Sequence, residues 1–251
     1  MSADPIIEFA LRMGDNTLVL GQRVCAWCGH APVLEEDIAF ANIALDLIGQ
    51  TRMWLGLAGE LEGKGRTADD LAYWRNDGAF RNCLLTEQPN GDFGHTLMRQ
   101  YLFDAWHYPM LTALTQSSDP RIAEIAAKSV KEVAYHLDRS RDLVIRLGDG
   151  TPVSHDRMQT ALDALWRFSG ELTTADEIDD VLAASGVAPA LADIEAQYRE
   201  ETAGVFRAAT LTVLDDAMMQ TGGKTGFHSE ALGPLLAEMQ FLHRSHPGAT
   251  W

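Results

Sequence analysis

No stretch of this chain runs for the ~18 apolar residues that a bilayer-crossing helix needs, so nothing in it reads as a membrane span. Basic residues are scarce: 20 Lys and Arg stand against 36 Asp and Glu, a formal charge of −16. Such an acidic surface repels phosphate backbones and anionic headgroups, which argues against nucleic acid and against a membrane surface as direct partners. Cysteine is rare too. Three is an odd number and too few for a disulfide framework. Cys25-Ala26-Trp27-Cys28 forms a Cys-x-x-Cys, but a zinc site would need two more ligands and only Cys83 remains among the thiols. A thioredoxin-type pair would follow a strand, and none is legible, so the two read as ordinary reduced cysteines near a helix end. The opening residues, MSADPIIEFALRMGDN, carry acids where a secretory leader carries basic charge, and the chain is expected to be cytoplasmic.

What is present is helical periodicity. With 46% apolar and 22% charged residues in 251, the chain has ample material for a core. The pattern predicts helices near 5–28, 33–61, 95–117 and 120–147 as a four-helix core. Shorter pieces at about 69–87 are interrupted near Gly78, and further C-terminal helices fall near 154–171, 175–185, 188–208 and 227–245. EGKGRT and QPNGDFG read as a linker and a turn-rich loop. Asp119-Pro120 is a strong start signal, an N-cap followed by proline at the first helical position. Gly148 is placed to end that helix as a left-handed cap. No strand or internal repeat emerges, so the expectation is all-α, one domain over 1–251.

The helix at 33–61 is apolar on more than one side. Leu34, Ile38, Ala41, Leu45, Ile48 and Leu55 form one broad face, and a second stripe carries Ala39, Asn42, Asp46, Gly49, Met53 and Leu57. A helix apolar nearly all round is expected to be buried, with Asn42 and Asp46 pointing into protein. In the helix at 95–117, Asp104 shares a stripe with Leu97, Tyr101, Tyr108 and Leu111, and His107 follows one turn on. Pro109 frees the carbonyl of Ala105. In KEVAYHLDRS, at 131–140, Glu132 and His136 sit on the shoulder of a core stripe.

An acid one turn before a histidine is how some helix bundles hold two irons, with Glu-x-x-His on two helices and a further Glu from each of the other two. None of the eight histidines has a glutamate three residues before it. The pair Asp104/His107 has the spacing but a shorter acid, and Glu132/His136 is one residue too long. Between Asp15 and Glu35 the first helix offers no acid at all. The set that remains is Asp46, Asp104, His107, Glu132 and His136, one carboxylate short. A buried, hydrogen-bonded cluster that could include Lys131 is the favoured reading, with no metal or other cofactor held by this chain and no catalytic residue. GGKTG at 222–226 lacks the first glycine of a phosphate loop, since Met218 stands there, and reads as a flexible loop.

Several long stretches carry a resemblance: LRMGDNTLVLGQRVCAWCGHAP, ANIALDLIGQTR, LLTEQPNGDFGHTLMRQYLFDAWH, AAKSVKEVAYHLDRSRDLVIRLGDGT and TGGKTGFHSEALGPLLAEMQFL. Together with LWRFSGEL and DEID they span nearly the whole chain. The sequence resembles the C-subunit family of bacterial phenylacetyl-CoA epoxidases, multicomponent ring-1,2-oxygenases of phenylacetate breakdown. The resemblance implies a ferritin-like bundle and a structural role beside a paralogous A subunit that carries the di-iron site and binds the CoA ester. A small B subunit and a flavin/iron–sulfur reductase complete that system, and self-association stays open. The alternative is a free-standing ferritin-like iron oxidase using the five residues above.

Overall fold

The computed structural model describes residues 4–214 and 218–249. Among them are ten α-helices: α1 (Pro5–Cys25), α2 (Leu34–Glu62), α3 (Ala68–Tyr73), α4 (Leu84–Glu87), α5 (Phe93–Leu114), α6 (Pro120–Gly148), α7 (Pro152–Leu165), α8 (Glu177–Ala184), α9 (Leu191–Ala208) and α10 (Leu232–Ser245). No strand occurs among the described residues. The chain is all-α, of the ferritin-like class. No described helix is long and apolar enough to cross a membrane. Two compact units divide it: the first combines Met1–Pro89 with Gly222–Trp251, and the second is Asn90–Thr221.

In the first unit, α1 begins where Asp4 accepts from the Ile6 N–H at 2.9 Å and Pro5 takes the first turn. It packs along α2 because small residues face that helix. A Cβ on Gly14 would lie 2.6 Å from Leu55 Cδ2, and Gly21 faces Leu47 and Ile48. Between these contacts the Thr17 and Thr51 hydroxyls meet at 2.9 Å, so that one donates to the other and the acceptor can donate to a carbonyl of its own helix. α1 stops at Cys25, three residues earlier than the periodicity suggests, and 26–28 form a turn.

The buried face of α2 differs from the one expected. Phe40, Ile43, Leu47, Trp54 and Leu55 are fully buried, whereas Leu34, Ile38 and Leu45 are 71%, 53% and 70% exposed. Asn42 is exposed and Asp46 half-buried. A helix apolar nearly all round gives periodicity no contrast from which to read its phase.

The second unit is built on α5 and α6, with α7 and α9 packed against α5. Asp92 caps α5 by accepting from the His95 N–H at 2.9 Å, and Asp119 caps α6 as expected, accepting from Arg121 N–H at 2.9 Å. Gly148 does end α6, but for another reason than a left-handed cap. Its φ is not positive, and a Cβ there would lie 2.5 Å from the Ala209 carbonyl oxygen. Close approach of the chain after α9 requires the glycine.

Candidate functional site

The polar groups singled out on α5 and α6 lie within the second unit. Asp104, His107, His136 and Ser140 are all fully buried, as is Gln100. Gln100 stands one turn before Asp104 on α5, and its Nε2 donates to Asp104 Oδ1 at 2.7 Å. Ser140, one turn after His136 on α6, donates from Oγ to Asp104 Oδ2 at 2.9 Å. Each carboxylate oxygen thus accepts one hydrogen bond from a neutral group. Burial dominates the balance and pushes the Asp104 carboxyl up to about 7, although nearby His136 and the two hydrogen bonds pull the other way. His107 moves oppositely: burial, then the like charge of His136, lowers it to about 3. Its ring packs 4.8 Å from Phe103 and lies nearly parallel to Trp106 at 5.8 Å. Neither ring nitrogen has a hydrogen-bond partner among the described residues. At neutral pH, His107 is therefore an uncharged aromatic member of the core, and Asp104 is shared between its two protonation states.

The structure brings together Asp104, His107 and His136. The other two sequence candidates are not fully enclosed, and Glu132 stands one turn before His136. Glu132 is half-buried on α6 and Asp46 half-buried on α2, in the other unit; Lys131 is exposed. Gln100 and Ser140 escaped sequence reading, although the spacing of Gln100 to Asp104 was a usable signal.

A second buried polar set, in the first unit, was not anticipated at all. Asp15 is enclosed and forms a two-pronged pair with Arg75, whose Nη1 donates to Oδ2 at 2.9 Å. The Arg81 N–H donates to the same oxygen at 2.8 Å. Glu87, equally enclosed, accepts from Asn82 Nδ2 at 2.9 Å, from the Ser229 N–H at 2.6 Å and from His228 Nδ1 at 2.8 Å. His228 Nε2 meets the Phe80 carbonyl at 3.1 Å. A carboxylate on one nitrogen and a carbonyl on the other require both to carry protons, so His228 is an imidazolium. Burial pulls its pKa down, but the hydrogen bond and charge of Glu87 outweigh this and leave it raised.

The GGKTG loop serves this set. A Cβ on Gly223 would lie 2.1 Å from the Asn82 carbonyl oxygen, and one on Gly226, at φ +88°, 2.5 Å from that of Gly78. The glycines let two backbones touch and place His228 on Glu87.

The family model described as "Phenylacetic acid catabolic protein" matches residues 1–251. The chain belongs to the phenylacetic acid catabolic protein family. Within it, the C subunit of the 1,2-phenylacetyl-CoA epoxidase of Escherichia coli (strain K12) is 51% identical over 246 residues, covering 98% of this chain and 99% of that relative. Ferritin-like di-iron bundles hold two irons with four carboxylates and two histidines. The residues of this family member do not fit that group. Among the described residues, no three or more of His, Cys, Asp and Glu are grouped to hold a metal. The one enclosed carboxyl on α5 and α6, Asp104, has both oxygens engaged by protein donors.

Proposed function

We propose that this chain is the non-catalytic structural subunit of a multicomponent 1,2-phenylacetyl-CoA epoxidase, acting in aerobic phenylacetate catabolism in the cytoplasm. It pairs, as one ferritin-like domain over 1–251, with a catalytic di-iron A subunit and sustains that subunit's active conformation. A small B subunit and a reductase complete the system. The observation that carries this reading is Asp104. At a position where a metal helix would aim a free carboxylate, this carboxyl is held by Gln100 and Ser140 and beset by burial. The apolar stripe Leu34, Ile38 and Leu45 on α2 supports a stable partnership, which would bury well over ~1,000 Å² in total.

The test is co-purification with the A subunit, separation of the chains, and iron analysis of each. Iron is expected in the A subunit and at most in traces here, with turnover lost when this chain is omitted. Replacing His107 and His136 together by alanine should weaken the complex more than it changes chemistry in complexes that survive. Stoichiometric iron in the isolated chain, with turnover abolished by that double replacement in an intact complex, would overturn the reading in favour of the iron oxidase.

A further inference from the structure

The end of α1 presents a pair of thiols that the epoxidase reading does not use. Cys25 is the last residue of α1, Cys28 lies three residues on, and both are exposed, whereas Cys83 is buried. The backbone between them tightens from α-helical to i→i+3 hydrogen bonding. The Trp27 N–H donates to the Val24 carbonyl at 3.0 Å and the Cys28 N–H to the Cys25 carbonyl at 3.1 Å. In that geometry side chains three apart lie over one another. A turn closed by such a bond keeps its end Cα atoms within about 7 Å, the span a disulfide bridges.

The turn is also held in place. Gly29, at φ +79°, and Ala31 donate their N–H groups to Asp37 Oδ2 on α2 at 2.8 and 3.3 Å. The Trp27 ring packs 6.2 Å from Phe40. We propose that Cys25 and Cys28 are a redox-modification site, closing to an intrachain disulfide when the chain meets hydrogen peroxide and reopening with a thiol reductant.

The chemistry balances with the peroxide as the two-electron oxidant. One thiolate attacks a peroxide oxygen and the O–O bond breaks. The departing hydroxide takes a proton and leaves as water, and the sulfur becomes a sulfenic acid. The second sulfur then attacks the first, the S–O bond breaks, and the second thiol's proton leaves with that oxygen as another water. Cys28 begins the sequence, because burial and the neighbouring Cys28 sulfur push the Cys25 thiol up. The pair sits at a helix C-terminus, the negative end of the helix dipole, where thioredoxin-type pairs exploit the positive end. Attack on the Cys28 sulfur expels Cys25, whose raised pKa makes it a poor leaving group, so reduction by that route is slow. The site stores an oxidation state; it does not relay electrons.

The test treats the purified full chain with hydrogen peroxide, quenches it with a thiol-alkylating agent, and maps the peptides by mass spectrometry. The expected result is a 25–28 disulfide, lighter by two hydrogen atoms and restored by dithiothreitol, with Cys83 alkylated only after denaturation. Cys25→Ser should trap Cys28 as a sulfenic acid captured by dimedone. Sulfinic acid on Cys28 beside an alkylatable Cys25, disulfides between chains, or two thiols that survive peroxide unchanged would each overturn the proposal.

Discussion

Asp15 and Glu87 in the first unit and Asp104 in the second are buried in opposite ways. In the first, Asp15 meets the Arg75 guanidinium and Glu87 meets the His228 imidazolium, and the donors come from segments far apart in the chain. In the second, Asp104 meets an amide and a hydroxyl, each one turn from a residue already in the cluster, and neither donor carries a charge. The first arrangement binds loops to a helix by charge. The second tolerates an acid inside a helix pair by raising its pKa, so that it keeps a proton up to about pH 7. A buried charge is held by a partner or avoided by a proton, and this chain uses both solutions.

The comparison breaks most severely at Arg75. Arg75→Ala leaves Asp15 enclosed without its cation and should cost about 3–5 kcal/mol in denaturant unfolding. A loss below about 1 kcal/mol would mean that the pair adds little beyond solvent-exposed ion pairs.

The second-unit cluster is sharpened by pH. Asp104, raised to about 7, keeps a proton in the folded chain that the unfolded chain releases above about pH 4, so its contribution to stability falls as pH rises from about 4 to 7. His107, lowered to about 3, refuses a proton that the unfolded chain accepts below about pH 6.5, so its contribution falls as pH drops through that range. Between about pH 4 and 6.5 the slopes oppose, each by up to about 1.4 kcal/mol per pH unit. Asp104→Asn should tilt the stability profile upward with pH and His107→Gln should tilt it downward. Unfolding titrations in which both variants keep the parent slope would show that neither group titrates as its burial dictates.

Gly223→Ala should cost about 1–3 kcal/mol, because the Asn82 carbonyl is backbone and cannot swing aside from the added methyl. Hydrogen exchange at the Ser229 amide should rise with it. His228 gives the smallest effect. Its raised pKa adds stability that is complete below the ordinary imidazole range and fades as pH rises through the folded value. His228→Gln should flatten that fade and cost about 1 kcal/mol on its acid side.

Helix starts were legible because capping is local: Asp119-Pro120 names its own position, and the structure agrees. The all-helical class followed from periodicity alone. The phase of α2 was not legible, since apolar residues on several faces leave no polar side to exclude. Gly148 marked a helix end through a signal that has two physical causes, and the close contact with Ala209 is the one that operates. At the candidate site, Asp104 was found because a lone acid stood in an apolar stripe. Asp46 was misplaced because its stripe was. Asp15 with Arg75, and Glu87 with His228, could not be paired from sequence, since spacing says nothing about partners separated by 60 and 141 positions.

The discontinuity of the first unit sets an order of events during synthesis. Residues 90–221 are contiguous, so every partner within that unit is made before residue 222. The segment before them cannot finish. Glu87 waits for Ser229 and His228, and the carbonyls of Ala72 and Arg75 wait for Gln240, whose Nε2 reaches them at 2.9 and 3.0 Å. The part of the chain made first is therefore completed only once the residues after 222 have been made.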